Sequence, residues 1–559
     1  MIDIKTEYRQ NCCGCSACAQ ICPQKCIEMQ EDDEGFAYPR VNLDRCVDCK
    51  LCEKVCPIIQ KPNFCVHGST NKPKAFGGWH KDDAVRFDSS SGGAFTLFAE
   101  YILSQNGIVY GCTLNEDFRA KHIGVKKISD LYRLRGSKYV QSNINGVYTE
   151  IREWLEQGRA VLFTGTPCQA AGLHSFLQHK YDNLYVVDFI CHGVPSPKVF
   201  CSYIKFLEEK TGNKIISFKF RCKDHGWNPT GLQLGTRTET ETGKFIRFSP
   251  GWHDAYMNGF LDDIYLRPSC YSCEFKCMSK YYSDITIADF WGVNKVDPKL
   301  FDGKGTSLVL LNSTQGEKIF FNVSDKFFYR ECDFDRAIKR NQSLIKSAEW
   351  NSRREQFFRD YADMSFEKIR VKYMGAFTWA LHKAIKISWG MVENVLCRMI
   401  GFILKIVNKS WNTGQYQAFM QIVKFSIVGL SNVMVSYLIN IIMLLITSPL
   451  SIAFDYVIAN ITAFSLSVLW SFYWNNYFVF TLKTGEYRSI KKTLAKTYIA
   501  YGFTGIILNN ILSTIWIYGF HCSKFIVPLC NLPINVPINF LINKFWTFKE
   551  QQHFSTGEK

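Results

Sequence analysis

Eight cysteines near the start of the chain have a spacing that is typical of iron–sulfur chemistry. Two runs share the pattern Cys-x2-Cys-x2-Cys-x3-Cys-Pro, the first from Cys12 to Pro23 and the second from Cys46 to Pro57. In such a doubled run, three thiolates of one half hold one [4Fe-4S] cluster and the fourth ligates the other cluster. The spacing therefore predicts two crossed ligand sets. They are Cys12, Cys15, Cys18 and Cys56 for one cluster, and Cys46, Cys49, Cys52 and Cys22 for the other.

Two other uses of closely spaced cysteines fit this segment less well. A disulfide framework needs an oxidising compartment and gives no reason for a doubled run that ends in Cys-Pro. Structural zinc sites use four ligands in pairs, whereas this segment has two interleaved quartets. Cys13 and Cys26 fall outside the pattern, and the sequence assigns them no role.

The length and composition of the chain set limits on the rest of the molecule. A chain of 559 residues is too long to fold around one hydrophobic core, so three or four domains are expected. Free thiols and clusters indicate a reducing compartment, and the first residues lack the apolar run of a signal peptide, which predicts a cytoplasmic N-terminal part. The net charge of +16 forms no basic stripe with interleaved aromatics, which argues against nucleic-acid binding.

The elements that follow residue 62 read as an α/β domain. A Ser/Gly loop at 88–93 opens an apolar helical pattern at 94–103. Its backbone N–H groups suit a phosphate, although an ordinary capped helix explains the same pattern. Two apolar strands, at 160–164 and 184–190, each lead into a turn that carries a cysteine. This is the arrangement expected of a site at the strand ends of a sheet.

Further thiols come later in this α/β segment. The triplet Cys270-x2-Cys273-x3-Cys277 has ligand spacing, which fits zinc or an iron–sulfur cluster. Cys168 and Cys191, in the two strand-end turns, are available as a fourth ligand. Beside two predicted clusters, a third cluster is the favoured interpretation.

From about Cys12 to Phe358 the chain resembles the beta-subunit family of hydrogenases and dehydrogenases that use the deazaflavin coenzyme F-420. The matching motifs occur in one order along the chain. They are Ser90-Ser91-Gly92-Gly93, Ser137-Lys138-Tyr139-Val140, Gly165-Thr166-Pro167-Cys168-Gln169, Cys191-His192-Gly193-Val194-Pro195, Phe220-Arg221 with Lys223 and Gly226-Trp227, Arg267-Pro268-Ser269-Cys270, and Asp289-Phe290-Trp291-Gly292. The resemblance implies an FAD-containing α/β domain with its own four-iron cluster.

The same resemblance implies roles for particular residues. Those near the flavin would be Ser91, Gly92, Gly93, Lys138 and Tyr139. Five candidates would compete for the four ligand places of the third cluster: Cys168, Cys191, Cys270, Cys273 and Cys277. The final substrate differs among members and is not carried over.

Three histidines are candidate proton donors beside a flavin. They are His192, His225 and His253. A structural or surface role is the favoured interpretation for each of them, because no partner spacing identifies a base.

The C-terminal part reads as a membrane domain. Residues 359–415 are basic and apolar, which predicts interfacial helices. Four uncharged stretches of about 20 residues follow, each long enough to span a bilayer. They are Phe425 to Ile446, Tyr456 to Phe480, Thr497 to Phe520, and Phe525 to Asn543. The loop between the second and third stretch is rich in lysine and arginine, so that loop and both ends of the domain are expected in the cytoplasm.

This domain also repeats itself. The pattern Phe-x2-Asn-x-aromatic-aromatic-x-Phe begins at Phe472 and again at Phe540. Asn475 and Asn543 either bind a polar lipid headgroup or belong to an aromatic belt. Asn460, Asn509 and Asn510 could join helices by hydrogen bonds.

The stretch from about Phe419 to Phe548 resembles the GtrA-like family of four-span proteins. The similarity rests on the two repeats and on Val423-Lys424-Phe425-Ser426-Ile427-Val428-Gly429. Members of that family are linked to cell-surface polysaccharide synthesis and to polyprenyl-phosphate-linked sugars.

The sequence thus predicts a multidomain, membrane-anchored iron–sulfur flavoprotein. Its expected parts are an α+β two-cluster ferredoxin domain (1–62), an α/β FAD and iron–sulfur domain (63–358), a basic interfacial linker (359–415), an all-α domain with four spans (416–550) and a disordered tail (551–559). The expected donor is a reduced ferredoxin, and the expected substrate a lipid-linked or nucleotide-linked sugar. The alternatives are a polyprenyl-phosphate-sugar translocase with a redox regulatory head, and an electron-transfer subunit for a partner enzyme.

Overall fold

The chain forms two compact units, Met1–Lys383 and Ala384–Lys559. The computed structural model describes residues 10–60, 72–224, 226–230, 235–243, 245–248, 254–276, 281–375, 413–447, 455–480, 486–487, 489–521, 527–548 and 551–552. Of the predicted site residues, His225, His253 and Cys277 lie outside these ranges.

The first unit begins with a small α+β module built on the two cysteine runs. Its elements are α1 (Ala17–Ile21), β1 (Ile27–Glu31), β2 (Ala37–Val41) and α2 (Leu51–Lys54). The two strands form an antiparallel hairpin in which Ile27 pairs with Val41. The module packs directly on the following domain, because Ala17 and Val55 share one hydrophobic cluster with Tyr148 and Ala170.

The following domain is α/β, as predicted, and its main sheet has eight strands. These are β3 (Lys74–His80), β4 (Ile108–Leu114), β5 (Ala120–Val125), β6 (Val161–Gly165), β7 (Leu184–Phe189), β11 (Ile285–Asp289), β12 (Ser307–Leu311) and β13 (Phe327–Cys332). They lie in the order β13-β3-β12-β11-β7-β6-β4-β5. The central strands β4, β6, β7 and β11 are parallel, so the turns that follow them meet at one edge.

Helices cover this sheet and a smaller antiparallel sheet adjoins it. The helices are α3 (Asp83–Asp88), α4 (Ala94–Ser104), α5 (Val147–Glu156), α6 (Pro167–Leu177), α7 (Pro197–Thr211), α8 (Ala255–Leu261), α9 (Val293–Val296), α10 (Thr314–Asn322), α11 (Phe334–Ile338), α12 (Arg354–Asp363) and α13 (Phe366–Tyr373). The smaller sheet has the order β10-β9-β8 and consists of β8 (Ile215–Cys222), β9 (Gly235–Thr240) and β10 (Phe245–Phe248).

The start of the predicted interfacial linker belongs to this globular unit. α12 and α13 pack Phe357, Ile369 and Tyr373 into the core beneath β8 and α7. The basic residues of this stretch lie on the outer face of amphipathic helices, which is why the sequence resembled a membrane-surface segment. Residues 376–412 of the predicted linker fall outside the described ranges.

The second unit is helical, and its helices coincide with the four uncharged stretches. They are α14 (Thr413–Thr447), α15 (Asp455–Trp474), α16 (Ile490–Gly502), α17 (Asn509–Thr514) and α18 (Val527–Ile542). Four π-helical segments extend these helices: Asn475–Val479, Phe503–Leu508, Ile515–Gly519 and Asn543–Thr547. Among the described residues, one helix, Gln421–Met443, is long and apolar enough to cross a membrane, with a mean hydropathy of 1.8. The other three stretches change winding part-way.

Two features at the end of the chain extend the sequence prediction. The strand β15 (Gln551–Gln552) pairs with β14 (Glu486–Tyr487), so the predicted disordered tail begins with an ordered contact. The two sequence repeats also meet in space. The ring of Phe480 stacks on that of Phe548 with centroids 5.0 Å apart, and packs at a tilt against that of Phe540 with centroids 5.9 Å apart. The repeat is therefore a feature of the packing as well as of the sequence.

Candidate functional site

The two cysteine loops of the N-terminal module share one backbone shape. In the first loop the residues on either side of Cys15, Gly14 and Ser16, have φ values of 69° and 60°. In the second loop the equivalent residues, Asp48 and Lys50, have φ values of 47° and 59°. Left-handed residues turn the chain sharply, which lets three thiols of one short loop face a common centre.

Thiols from both cysteine loops lie close to one another in the N-terminal module. Burial raises the pKa of the Cys18 thiol, and the neighbouring thiols of Cys12, Cys56 and Cys52 raise it further. A separate hollow is lined by the second set, Cys22, Cys46, Cys49 and Cys52, together with Cys26. The fourth cysteine of each run thus lies with the other loop.

Zinc and disulfides are the two other uses of such thiols. Four thiolates around one zinc stand about 3.8 Å apart, given a Zn–S distance of about 2.3 Å. Within the described residues, no three His, Cys, Asp or Glu side chains converge closely enough to hold a single metal ion. The described cysteines of the first unit are also free thiols.

A third group of thiols lies at the parallel edge of the main sheet. Cys168 begins α6 after β6, Cys191 follows β7, and Cys270 and Cys273 come from the turn around Pro268–Ser272. These four line one hollow. Burial raises the pKa of Cys191, and the thiols of Cys270, Cys168 and Cys273 add to that effect.

Cys13, which had no predicted role, lines the same hollow. Its thiol neighbours Cys15 of the first ligand set and Cys168 of the third group. The close approach is possible because α6 carries Gly172, where a Cβ would lie 2.8 Å from the Cβ of Cys15. The third thiol group is therefore next to the first cluster loop.

A cavity of about 810 Å³ adjoins the third thiol group. The segment Cys191–Val194 lines both the cavity and the thiol hollow, so one short turn separates them. The residues predicted to lie near a flavin are brought together here: Ser91, Gly93, Lys138 and Tyr139 line the cavity. Gly92 does not line the cavity but lies behind its wall.

The Ser/Gly loop is held against β12. Ser91 Oγ donates to the carbonyl of Thr306 at 2.6 Å, and the amide of Gly92 donates to Ser307 Oγ at 2.9 Å. Gly92 has to be a glycine, because a Cβ there would lie 2.4 Å from the carbonyl oxygen of Gly78. The loop ends at Gly93, which supplies no side-chain cap to α4, an 11-residue helix. The amide of Thr96 donates to the carbonyl oxygen of Gly93 at 3.2 Å, and the amides of Ala94 and Phe95 have no side-chain acceptor among the described residues, so they can serve another acceptor.

A buried lysine that the sequence did not single out as a site residue anchors this loop. Lys223 Nζ donates to the carbonyl oxygens of Ser91 at 2.7 Å, Lys304 at 3.0 Å and Arg86. Burial, and then the nearby Arg86 and Arg221 guanidinium groups, lower the pKa of Lys223 to about 7.

Lys138 lines the cavity, but its ammonium group is already engaged. Lys138 Nζ donates to the carbonyl oxygens of Leu134 at 2.9 Å and Arg135 at 2.7 Å. Burial lowers the pKa of Lys138 to about 8. Its ammonium group therefore stabilises a turn in the cavity wall. A separate contact joins the two predicted motifs, because Ser90 Oγ accepts from the amide of Ser137 at 2.8 Å.

Arg221 and Asp289 form a buried ion pair in the cavity wall. Arg221 Nη2 donates to Asp289 Oδ1 at 2.8 Å, and Nη1 donates to Oδ2 of the same carboxylate. The guanidinium lies 5.3 Å from the ring of Trp291, and its Nε has no hydrogen-bond partner among the described residues. A buried N–H without a partner in a cavity wall is a donor available to a ligand.

His192 lies at the boundary between the cavity and the thiol hollow. Its Nε2 is 2.5 Å from Asp263 Oδ1. A second histidine of the cavity wall, His122, was not predicted: Nε2 is 2.9 Å from the carbonyl oxygen of Thr164, and Nδ1 is 2.9 Å from Ser142 Oγ. Burial lowers the pKa of His122 to about 4, so it is neutral at pH 7. No local spacing could have revealed it.

The helical unit has a buried polar cluster at its two repeats. Asn475 and Asn543 are both fully buried, and each begins a π-helical segment. Asn475 Nδ2 donates to Ser471 Oγ at 3.1 Å and to Tyr501 Oη at 3.2 Å. The side-chain carbonyl oxygens of both asparagines lack a partner among the described residues. The side chains of Asn460, Asn509 and Asn510 lie outside what the structure describes.

Comparison with known protein families finds matches along most of the chain. Residues 11–58 match a 4Fe-4S dicluster domain, and residues 75–148 match the N-terminal part of the coenzyme F-420 hydrogenase/dehydrogenase beta subunit. Residues 158–336 match the C-terminal part of that beta subunit, and residues 424–548 match the GtrA/DPMS transmembrane domain. The last match marks the second unit as a membrane domain.

Similarity to individual proteins is narrower. An uncharacterized polyferredoxin-like protein of Methanocaldococcus jannaschii is 34% identical over 63 residues, which are 10% of this chain and 38% of that protein. The chain thus spans well under half of this curated relative. A xenon-derivatised F-420-reducing NiFe hydrogenase complex of Methanosarcina barkeri has 17% identity and a TM-score of 0.34, covering 49% of this chain and 89% of that chain. These values lie below those at which a shared fold is inferred.

The family matches occur in the order predicted from the sequence. The chain therefore carries a 4Fe-4S dicluster domain, the two parts of the coenzyme F-420 hydrogenase/dehydrogenase beta subunit and a GtrA/DPMS transmembrane domain.

Proposed function

We propose that the protein is a membrane-anchored iron–sulfur flavoprotein oxidoreductase. The observation that supports this most strongly is the contiguity of the thiol groups and the cavity. Cys13 lies between the first ligand set and the third thiol group, and Cys191–Val194 separate that group from the cavity. In this proposal Cys168, Cys191, Cys270 and Cys273 hold a third [4Fe-4S] cluster, with Cys277 as the further candidate, and the cavity holds FAD. A flavin bound there would collect single electrons and deliver them as a pair.

The residues of the cavity fit the parts of such a cofactor. The uncapped N-terminus of α4 and the Ser/Gly loop offer backbone N–H groups and a positive dipole end to a diphosphate. Arg221 offers its unpaired Nε–H to a polar atom of the ring system or of the substrate. Tyr139 stacks on Phe260 at 4.8 Å and is held in place by Arg221, so one aromatic wall is rigid.

His192 is the proton donor that the geometry favours over the other histidines. Its ring contacts the Asp263 carboxylate on one side. On the other side it packs edge-on against the ring of Phe260, with centroids 5.2 Å apart. A carboxylate partner holds the imidazole ring in one orientation. Both histidines have partners at both ring nitrogens. His122 is less suited because burial lowers its pKa to about 4 and keeps it neutral at pH 7.

The substrate class follows from the fusion to the membrane domain. We propose a lipid-linked or nucleotide-linked sugar used for cell-surface polysaccharide, with a reduced ferredoxin as the donor. We further propose four spans with both ends and the lysine-rich middle loop in the cytoplasm, because positive loops stay inside. The four helical stretches and the GtrA/DPMS match support this topology.

A second candidate function is favoured by the buried asparagines. Asn475 and Asn543 present unpaired carbonyl oxygens inside the membrane domain, where unsatisfied polar groups are unfavourable. A lipid-linked sugar would supply hydroxyl donors to them. On this reading the membrane domain binds or translocates the lipid and the redox head regulates it. A third candidate, an electron-transfer subunit for a partner enzyme, needs only the clusters.

The first test is a cofactor count on anaerobically purified, detergent-solubilised protein. We expect iron and sulfide for three four-iron clusters and one released flavin per chain. Cys191→Ser should lose one cluster and prevent reduction of the flavin by reduced ferredoxin, whereas Cys332→Ser, which changes a thiol remote from the three groups, should do neither. Two clusters and no flavin would refute the flavoprotein proposal and leave the electron-transfer and translocase functions.

A further inference from the structure

The guanidinium group of Arg267 is fully buried where the N-terminal module meets the α/β domain. Its Nε donates to the carbonyl oxygen of Cys12 at 2.7 Å, and Nη2 donates to the carbonyl oxygen of Ala37 at 3.0 Å. Nη1 donates to Gln141 Oε1 at 2.9 Å, and Nη2 lies 3.6 Å from Cys12 Sγ. None of these partners is a carboxylate, so the positive charge faces a cluster ligand without a counter-ion among them.

The surroundings hold this charge in place. The guanidinium lies 4.2 Å from the ring of Tyr38 and 5.5 Å from that of Phe36, two residues of the N-terminal module. Gly14 leaves room for it, because a Cβ there would lie 2.8 Å from Arg267 Nη1. The residue therefore has a fixed position under the first cysteine loop.

Arg267 also connects this loop to the third thiol group. The amide of Cys270 donates to the carbonyl oxygen of Arg267 at 2.9 Å, and Cys270 lines the thiol hollow. One residue thus binds Cys12 through its side chain and Cys270 through its backbone. Among the described residues that line the hollow of the second ligand set, the charged side chains are Asp48 and Lys50, which have opposite signs, and none is an arginine.

Charge and hydrogen bonds at the ligand sulfur atoms are two of the factors that set the potential of an iron–sulfur cluster. Reduction adds one electron from a one-electron donor, such as a reduced ferredoxin, and breaks no bond. A buried positive charge beside one ligand favours the more negative, reduced state. The effect is local, because an attraction between charges falls with distance.

We propose that Arg267 raises the reduction potential of the cluster held by Cys12, Cys15, Cys18 and Cys56 above that of the other ferredoxin cluster. Electrons that enter the module then collect at the cluster nearer the third thiol group. Arg267 is a positioning residue in this scheme, and the inference rests on the proposed function for the presence of the clusters.

The test is a redox titration followed by electron paramagnetic resonance on anaerobic full-length protein. Arg267→Met removes the charge, and we expect one of the two ferredoxin potentials to fall by at least 59 mV, which is a tenfold change in the reduction equilibrium for one electron. The other potential should stay within error. Arg267→Lys keeps the positive charge but not the planar, multi-donor guanidinium group, so the potential affected by Arg267→Met should fall less in this variant. If Arg267→Met loses iron, Arg267→Gln replaces it, because its amide retains one donor.

Arg354→Met is the matched control. Arg354 is equally buried in the same interface, where it pairs with Glu34 and donates to the carbonyl oxygen of Leu266, but its guanidinium has no contact with a thiol. An unshifted pair of potentials in Arg267→Met with full iron content would overturn the inference. An equal shift in Arg354→Met would overturn it as well, since loss of docking would then explain the effect. Wild-type protein without clusters would remove the proposed function and the inference together.

Discussion

The ion pair between Arg221 and Asp289 makes a quantitative prediction, because both partners are buried. The side chain of Arg221 is 2% exposed and that of Asp289 is 15% exposed. At the 2.8 Å Nη2–Oδ1 distance and an effective dielectric constant of about 20, the gross attraction is about 6 kcal/mol. Most of this offsets the loss of hydration, so the pair itself adds little net stability.

Removing one partner has a much larger effect than removing both. Arg221→Met leaves a buried carboxylate without its cation, which lowers the free energy of unfolding by about 3–5 kcal/mol. For an α/β domain of about 300 residues, at about 2.1 cal/mol/K per residue, this corresponds to a fall in Tm of about 5–8 °C. The double variant Arg221→Met with Asp289→Leu should recover most of that loss, because no buried charge remains.

The assay is thermal unfolding of the anaerobic full-length protein, followed by near-ultraviolet circular dichroism. Lys72→Met is the control, since Lys72 pairs with Asp335 where both side chains are 60% exposed, and such pairs contribute little. If the double variant unfolds at or below the temperature of Arg221→Met, the uncompensated carboxylate is not the cause and the reasoning is refuted. Loss of flavin in both the Arg221→Met and the double variant, with normal flavin content in Lys72→Met, would separately support a cavity contact.

Three further predictions concern the cavity wall. Gly92→Ala should release the flavin and destabilise the domain by about 1–3 kcal/mol. The reason is that the new Cβ would lie 2.4 Å from a backbone atom of Gly78 and 2.6 Å from one of Ser307. Unchanged flavin content would contradict the loop geometry. Lys223→Met should weaken flavin binding at least tenfold by freeing the Ser91 carbonyl, measured by flavin titration of the stripped protein, and wild-type affinity would count against the anchor. His122→Asn should abolish part of the pH dependence of unfolding. The pKa of His122 in the folded state is about 4, below the ordinary 6.5, so the unfolded state binds one more proton between these values. The free energy of unfolding of the wild type therefore falls by about 3 kcal/mol as the pH drops from 6.5 to 4. An identical pH profile in the variant would refute this.

Sequence alone could predict those parts of the site that depend on local spacing. The crossed cysteine sets follow from a repeated pattern, and the family matches confirm a 4Fe-4S dicluster domain there. The turns that carry Cys168 and Cys191 could be placed because the strands before them are strongly apolar. Parallel strands then bring such turns to the same edge of the sheet.

Contacts between distant segments could not be predicted in the same way. Arg221 meets Asp289 across 68 residues, and Arg267 meets Cys12 across 255. The family resemblance placed both arginines in motifs, but nothing in the local pattern indicates which distant residues they contact. The prediction for Lys138 was incomplete for the same reason, since the carbonyl oxygens that hold its ammonium group belong to a turn whose shape was unknown.

The membrane domain shows a different limit. Hydropathy predicted four spans, and the structure has helices over all four stretches. Among the residues it describes, however, one helix is long and apolar enough to be a candidate span. The change from α to π winding at Asn475 and Asn543 leaves the local composition unaltered, so no hydropathy measure detects it. Such a change often marks a functional position in a helix.

The equivalence of Gly14 and Asp48 has a consequence for how a duplicated segment diverges. Both positions need a left-handed backbone, but a side chain at position 14 would collide with Arg267 and Gln141 of the α/β domain. The half that docks has therefore lost the freedom to vary at this position, while the half that carries Asp48 keeps it. When a symmetric ancestor binds a partner through one half only, substitutions become restricted in that half and stay tolerated in the other. Selection for folded protein from a library randomised at positions 14 and 48 should therefore return glycine at position 14 and a range of residues at position 48.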